Sequence, residues 1–179
     1  MFRVIFIVVA ALTLLVSGPA LAAPKAEAPV TAADRAKVPA FHLKNLKGKK
    51  VHIKDLKGKV VMISFWATWC VPCKRELDDL AKLYKKHHKD GLEVLAIATD
   101  GPETFSAIRG VVKRHRWPFH ILPDKEGEAT SVLNPRGNVP FSMYVDRQGR
   151  LAHDHEGYGQ GDAKKMAKKI AELLAEPAP

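Results

Sequence analysis

The stretch KVVMISFWATWCVPCKREL, residues 59–77, decides the fold and holds both cysteines of the 179-residue chain. It begins with a continuous apolar run rich in β-branched residues, which predicts a strand buried on both faces. Beyond the cysteines, apolar residues recur at helical spacing up to Gly91, which predicts a helix. Cys70 and Cys73 therefore lie between a buried strand and the start of a helix.

Three kinds of chemistry could use two cysteines separated by two residues: a structural disulfide, half of a metal site, or a redox-active pair. A disulfide that closes so short a loop removes little chain entropy, and a domain of this size does not need one. A structural zinc site requires four ligands, and none of the eight histidines lies close to the pair in the sequence. His153 and His155, which alternate along a predicted strand, are interpreted as surface residues. Lys74 follows the second cysteine, so covalent haem attachment is not indicated.

The redox interpretation depends on different environments for the two cysteines. Cys70 lies at the N-terminus of the predicted helix, where backbone N–H groups stabilise a thiolate. Cys73 lies one turn further along, and we expect it to be more buried and less acidic. Cys70, which we expect to be exposed, would then attack a partner disulfide, and Cys73 would resolve the mixed disulfide. Pro72 suits the first helical turn, and Trp69 is expected to cover the pair.

The first 22 residues have the features of a cleaved export signal. They combine the basic Arg3, an apolar run over residues 4–16, and an Ala-Leu-Ala cleavage site that ends at Ala22. An uncleaved membrane anchor is the alternative, although the apolar run is short for a membrane span. The sequence therefore predicts export to the periplasm or another extracytoplasmic space.

The remainder of the chain divides into a tether and one domain. Residues 23–37, rich in Ala and Pro, predict a flexible linker, residues 38–175 a single domain, and residues 176–179 a C-terminal tail. The net charge of +10 predicts a solvated basic surface, with attraction to an acidic partner or an anionic membrane surface as the alternative. No nucleic-acid motif accompanies this charge, so a nucleic-acid partner is not expected.

The pattern of strands and helices predicts an α/β fold of order β-β-β-α-β-α-β-β-β-α. Strand–helix–strand units give parallel strand pairs through right-handed crossovers, whereas the last two strands form an antiparallel hairpin. The expected result is a mixed central sheet with helices on both faces. The other predicted elements are a hairpin at 41–45 and 50–53, strands at 92–99 and 119–122, a helix at 103–116, two strands joined by a turn at 146–149, and a closing helix at 162–176.

The sequence WCVPCK after VVMISFWAT resembles the thioredoxin superfamily, and specifically the exported thiol–disulfide oxidoreductases of the TlpA/ResA/CcmG type. The resemblance covers about residues 38–175. An N-terminal hairpin, a central insert at residues 101–116 and the stretch GNVPFSMYVDRQGR, residues 137–150, support it. It implies a thioredoxin-like fold whose redox-active disulfide requires no other cofactor.

The resemblance also implies roles for individual residues. The Val139–Pro140 peptide bond is expected to be cis and to hold the backbone of Val139 beside the disulfide, where it can pair with a substrate strand. Trp69 and Pro72 are further candidate substrate-binding residues.

The acid–base group follows less directly from the resemblance. Many thioredoxins bury an aspartate at the position that Ser64 occupies here. ResA-like proteins instead bring a glutamate from the insert, so Glu103 is the candidate that takes the proton from Cys73, with Asp100 as the alternative.

The function that the resemblance implies is reduction of disulfides in extracytoplasmic client proteins. The clients of such proteins include the thiols of apocytochrome c and the cysteines of copper sites. A reductant in an oxidising space requires a dedicated electron donor, typically a membrane thiol–disulfide transporter. The residues Val71-Pro72 between the cysteines favour a reductant over an oxidant, and a monomer is expected.

Two other functions remain open for this fold. A thiol peroxidase normally has Ser or Thr three residues before its cysteine, whereas Thr68 stands two residues before Cys70. A copper-binding assembly factor of the Sco type has three residues between its cysteines and uses a distant histidine as well. Both alternatives depart from the spacing found here.

Overall fold

The computed structural model describes residues 32–178, so the predicted signal peptide and the first part of the predicted linker lie outside the described residues. Among the helices of the described part, none has the length and apolar composition that a membrane crossing requires. The bounds of the secondary-structure elements, in chain order, are β1 His42–Lys44, β2 Lys50–His52, β3 Val60–Trp66, α1 Val71–His87, β4 Leu92–Ala98, α2 Ile108–His115, β5 His120–Pro123, α3 Thr130–Leu133, β6 Phe141–Val145, β7 Leu151–Glu156 and α4 Asp162–Ala175.

A mixed sheet with strand order β5-β4-β3-β6-β7 forms the centre of the domain. Strands β3, β4 and β5 run parallel, whereas β6 and β7 are antiparallel to their neighbours. Strands β1 and β2 form a separate antiparallel hairpin. The predicted α/β class, the mixed sheet and the N-terminal hairpin are therefore confirmed.

Strand β3 is buried along its whole length because apolar layers cover both faces of the sheet. On one face, Met62 and Trp66 pack in a cluster with residues of α1, α2 and α4. On the other face, Ile63 and Phe65 pack in a cluster that includes the hairpin and α3. This double burial explains why the sequence of β3 is apolar without alternation.

The predicted helix at 103–116 is shorter in the structure. Helix α2 is preceded by a 3₁₀ turn, Phe105–Ala107, and by a turn in which the carbonyl of Gly101 accepts hydrogen bonds from Thr104 and Phe105. It ends at His115, and its C-cap residue Arg116 adopts the left-handed conformation shortly before Pro118. Local turn bonding therefore replaces the first helical turn that apolar spacing predicted.

Helix α3 was not predicted, since four residues are too few for a periodic pattern. Its start is fixed by the side chain of Asp124, which accepts hydrogen bonds from the backbone N–H groups of Ala129 and Thr130. The Thr130 hydroxyl also donates to this carboxylate, at 2.6 Å. A buried carboxylate thus determines a helix that the sequence pattern does not show.

The end of the predicted linker contacts the domain. The guanidinium of Arg35 donates to Asp146 at 3.1 Å and to both carboxylate oxygens of Glu176 at 2.8 and 2.7 Å. Lys37 forms an isolated backbone bridge with Arg150. The contacts of the folded domain therefore begin by Arg35, three residues before the predicted domain start at Val38.

Candidate active site

The two cysteines lie at the turn from β3 into α1, as the sequence predicted, and they form a disulfide. Cys70 is the N-cap residue of α1, and its sulfur accepts a hydrogen bond of 3.2 Å from the backbone N–H of Cys73. Pro72 lies in the first turn, where its missing N–H removes no helical hydrogen bond. The helix N-terminus therefore directs a backbone donor at the sulfur of Cys70.

The surroundings of the pair differ from the prediction in one respect. Cys70, expected to be exposed, is 4% exposed in the disulfide form, and Cys73 is fully buried. The exposed side chains beside them are apolar: Trp69 is 63% exposed and Val71 is 56% exposed. A reacting partner must therefore approach the sulfur of Cys70 across an apolar rim.

Asp100 holds the turn that precedes Cys70. Its buried carboxylate accepts hydrogen bonds from the backbone N–H of Thr68 at 3.1 Å and from the Thr68 hydroxyl at 2.5 Å. The ammonium of Lys74 donates to the carbonyl of Thr68 at 2.9 Å. Asp100, the alternative acid–base candidate, is thus engaged in fixing the backbone of this turn.

The Val139–Pro140 peptide bond is cis, as the resemblance implied. Val139 packs against the apolar cluster that contains both cysteines. The Pro140 carbonyl accepts a hydrogen bond of 2.9 Å from the N–H of Gly157. Strand β6, which follows Pro140, pairs with β3, so the proline loop and the cysteine turn belong to neighbouring strands.

Glu76 is the buried carboxylate that the sequence analysis missed. It lies one helical turn after Cys73 on the buried face of α1 and is 1% exposed. Its oxygens accept hydrogen bonds from the hydroxyls of Ser64, at 3.0 Å, and Ser142, at 2.5 Å. These two serines face each other across β3 and β6. Burial raises the pKa of Glu76, and the serine hydrogen bonds offset only part of that increase.

Glu103, the first acid–base candidate from the sequence, occupies a different environment. It is exposed in the turn between β4 and the 3₁₀ turn, beside Gly101. The structure therefore does not bury Glu103 with Cys73.

A sequence signal for Glu76 does exist, since Cys73, Glu76 and Leu77 share the helical spacing of one buried face.

No group of three or more His, Cys, Asp and Glu side chains placed to hold a metal ion occurs within residues 32–178. His153 and His155 lie on β7, where His153 is exposed and His155 is partly buried.

Comparison with known proteins places this site in a family. The family model described as the AhpC/TSA family matches residues 35–154, which include both cysteines, Glu76 and the cis proline. The chain belongs to the AhpC/TSA family. Its match begins at Arg35, whose guanidinium contacts Asp146 and Glu176.

This AhpC/TSA chain is similar to curated proteins named thiol–disulfide oxidoreductase ResA. It is 35% identical to ResA of Bacillus thuringiensis subsp. konkukian over 99 residues, which are 54% of each chain. It is 29% identical to ResA of Halalkalibacterium halodurans over 120 residues, which are 66% of this chain and 64% of the relative. The chain thus spans about half the length of the first of these relatives.

Solved structures agree with this placement. A structure assigned as the thiol:disulfide interchange protein DsbE of Chlorobium tepidum superposes with a TM-score of 0.72 and 26% identity, over 79% of this chain and 97% of that chain. A structure assigned as a thioredoxin of Neisseria meningitidis gives a TM-score of 0.67 and 27% identity, over 77% and 90% of the two chains. The thioredoxin-like fold of this AhpC/TSA member and its resemblance to the TlpA/ResA/CcmG branch are thereby confirmed.

Proposed function

We propose that this chain is a thiol–disulfide oxidoreductase whose Cys70–Cys73 pair cycles between disulfide and dithiol without a further cofactor. The observation that carries the proposal is the disulfide at the N-terminus of α1, with a helical N–H directed at the sulfur of Cys70. A helix N-terminus stabilises negative charge, so Cys70 is the sulfur that becomes the attacking thiolate. The names of the ResA and DsbE relatives support the same chemistry.

In the reducing direction the reaction transfers two electrons from the dithiol to a client disulfide. The Cys70 thiolate attacks one client sulfur and forms the mixed disulfide with it. The client S–S bond breaks, and the other client sulfur leaves as a thiolate that takes up a proton. Cys73 then loses its proton and attacks the sulfur of Cys70. The mixed disulfide breaks, the second client thiol is released, and the Cys70–Cys73 disulfide forms.

We assign to Glu76, and no longer to Glu103, the role of taking the proton from Cys73. Burial raises the pKa of Glu76, which brings it closer to that of a thiol and suits it to accept a thiol proton. Glu103, by contrast, is exposed. Side chains on a helix lean toward its N-terminus, so Glu76 leans toward the turn that holds Cys73. Ser64 and Ser142 orient the carboxylate from the sheet below.

The client is a protein segment that docks on the apolar rim of the site. Trp69 and Val71 supply exposed apolar area beside Cys70. The backbone of Val139, before the cis proline, supplies a site for pairing with an extended strand. Following the resemblance, we assign the clients to the extracytoplasmic space, with apocytochrome c thiols and copper-site cysteines as the candidate classes. A cleaved signal peptide and a membrane thiol–disulfide donor complete this assignment.

Transfer of two electrons to a model client tests the proposal. The reduced protein is mixed with an excess of a peptide that carries a single disulfide, and free thiols and protein adducts are measured by mass spectrometry. We expect one peptide disulfide reduced per protein, no reaction for Cys70→Ser, and an accumulating mixed disulfide for Cys73→Ser. An unreacted peptide with the native protein, or full turnover by Cys73→Ser, would contradict the two-cysteine mechanism.

The thiol peroxidase alternative finds little support in the geometry of the turn. The Thr68 hydroxyl donates to Asp100, so it is engaged away from the sulfur of Cys70. Hydrogen peroxide consumption by the reduced protein, measured against its rate of peptide reduction, separates the two activities. Copper retained through gel filtration by the native protein, and lost in Cys70→Ala, would instead favour a copper-binding assembly factor.

A further inference from the structure

A cavity of about 190 Å³ leads from the carboxylate of Glu76 to the surface between β7 and α4. Glu76 lines its inner end, and the side chains of α4 line its opening. The volume is sufficient for several water molecules, and the walls offer them polar partners.

His155 lines the same cavity and has an unusual environment. Its Nε2 atom is buried and has no hydrogen-bond partner among the described residues. The nearest carboxylate oxygen, Oδ2 of Asp162, is 3.5 Å from this nitrogen. A third of the His155 side chain is nevertheless exposed. The ring therefore has one nitrogen inside the protein and another part in contact with solvent.

We propose that His155 relays protons between Glu76 and solvent through water in this cavity. The inference rests on the proposed function, since it concerns the proton that Cys73 loses when it resolves the mixed disulfide. Glu76 takes that proton but is 1% exposed, and both of its oxygens are engaged by serines. Because burial favours the protonated carboxyl, Glu76 must lose a proton before it can take the one from Cys73. The Nε2 atom of His155, which lines the same cavity and has no hydrogen-bond partner among the described residues, is the group best placed to pass that proton to solvent.

The cavity is surrounded by other titratable groups, several of which are engaged in hydrogen bonds or ion pairs. Asp79 on α1 accepts a hydrogen bond of 2.8 Å from the Tyr158 hydroxyl. Burial raises the pKa of Tyr144 and of Tyr158, which keeps both phenols protonated at neutral pH. From α4, Asp162 pairs with Lys165 at 2.9 Å. The remaining charged groups at the opening are Lys168, Lys169 and Glu172.

Glu76 and His155 interact electrostatically across the cavity. Burial is the main cause that raises the pKa of Glu76, and the charge of His155 is among the influences that lower it. A protonated His155 therefore favours the ionised carboxylate that must accept the next proton. His153, by contrast, lines the same cavity and tilts against Tyr144, and burial lowers the pKa of His153. His153 is the matched control because it lies on the same face of the same strand.

The test separates attack by Cys70 from resolution by Cys73. The reduced protein is mixed with increasing amounts of the single-disulfide peptide in a stopped-flow instrument, and tryptophan fluorescence is followed. The attack rate rises with peptide concentration, whereas the resolution rate does not. Native protein, His155→Ala and His153→Ala are compared over a range of pH, with and without added imidazole.

We expect His155→Ala to slow resolution about tenfold, less than the roughly 100-fold or more expected for loss of the group that takes the proton directly, and to leave attack unchanged. Imidazole should restore the rate by occupying the space of the missing ring. His153→Ala should resolve at the native rate. A native rate in His155→Ala, a loss that imidazole does not restore, or equal loss and rescue in His153→Ala would each overturn the relay.

Two further comparisons keep the test decisive. If His155→Ala does not fold, His155→Gln keeps a polar side chain that cannot be protonated, and a larger solvent deuterium effect on resolution is expected. An unchanged isotope effect in a slow His155→Gln variant overturns the relay. Failure of the native protein to reduce the peptide rejects the proposed function itself, whereas normal reduction with an unaffected His155→Ala rejects only the relay.

Discussion

The hydroxyl of Ser64, on the central strand, donates a hydrogen bond of 3.0 Å to the carboxylate of Glu76 on α1. Ser64 occupies the position at which many thioredoxins bury an aspartate. Here the strand supplies a donor and the helix supplies the acid, one turn after Cys73. The buried carboxylate between β3 and α1 therefore comes from the helix instead of the strand. Ser142 donates its second hydrogen bond.

The pH dependence of stability should reveal the burial of Glu76. Its pKa is raised in the folded protein, so the folded state binds more protons than the unfolded state above the ordinary value of 4.5. Stability is then lost as the pH rises from that value through the folded pKa. Glu76→Gln removes this loss and can keep both serine contacts. Urea denaturation of the disulfide form measures the free energy of unfolding of both proteins. The value for Glu76→Gln should increase relative to the native value as the pH rises. A difference between the two that is constant with pH would contradict the account.

The two candidate acid–base residues should differ in their kinetic effects. Glu76→Gln should slow the attack of Cys73 on the mixed disulfide about 100-fold, because the proton acceptor is lost. Glu103→Gln should leave this step unchanged, since Glu103 is exposed. Single-turnover fluorescence with the model peptide measures both. The reverse result would return the acid–base role to Glu103.

Asp100 should be required for the stability of the cysteine turn. Asp100→Ala leaves the N–H and hydroxyl of Thr68 without their buried acceptor, which should cost about 1–3 kcal/mol in the free energy of unfolding. Asp55→Ala, at an exposed aspartate after β2, should change it by less than about 0.5 kcal/mol. Denaturant titration compares them, and equal effects of the two variants would argue against a positioning role for Asp100.

Arg35 should anchor the N-terminal segment in a pH-dependent manner. Burial raises the pKa of Asp146, but hydrogen bonds from Arg150, Arg35 and Gln148 outweigh it, so the net pKa is lowered. The stability that this carboxylate contributes is present above its unfolded value of 3.8 and is lost as the pH falls below it.

Arg35→Ala removes a charged partner of that carboxylate. The variant should lose about 1.5–3 kcal/mol near neutral pH and show a shallower loss of stability in acid. Lys37→Ala, an exposed neighbour in the same segment, serves as the control. Thermal and urea unfolding of both variants at neutral and acid pH provide the comparison. A parallel acid loss in Arg35→Ala and the native protein would show that the contact does not hold the carboxylate.

Trp69 should contribute to client binding but not to folding. It is 63% exposed, so Trp69→Ala should change the free energy of unfolding by less than about 0.5 kcal/mol. The KM for the model peptide should rise about fivefold or more, as expected when an interface loses an aromatic anchor worth about 1 kcal/mol. Val132→Ala, at another exposed apolar side chain on α3, should leave KM unchanged. Equal KM values in all three proteins would remove Trp69 from the docking surface.

The sheet and the cysteine turn could be predicted because their signals are local. The apolar run of β3 and the helical spacing after Cys73 lie in adjacent stretches of sequence, and parallel pairing follows from the connecting helices. The cis peptide bond at Val139–Pro140 was implied by the resemblance rather than by any local pattern. These features require no knowledge of distant contacts.

The buried carboxylate could not be predicted in the same way. A glutamate in an amphipathic helix ordinarily lies on the solvent face. Glu76 shares the spacing of the buried face, but its hydrogen-bond partners Ser64 and Ser142 lie 12 and 66 residues away. The contact of Arg35 with Glu176 spans 141 residues, so the linker appeared unattached in the sequence. Both residues are polar groups whose partners come from another part of the chain.

The reduction potential of the Cys70–Cys73 pair tests the central claim most directly. The protein is equilibrated with glutathione or dithiothreitol mixtures, and tryptophan fluorescence reports the fraction reduced. We predict a two-electron transition near the value of thioredoxin, about −270 mV or somewhat above it, as a disulfide reductant requires. A value near about −120 mV would mean that the pair forms disulfides rather than reducing them, and a pair that does not cycle would contradict the account altogether.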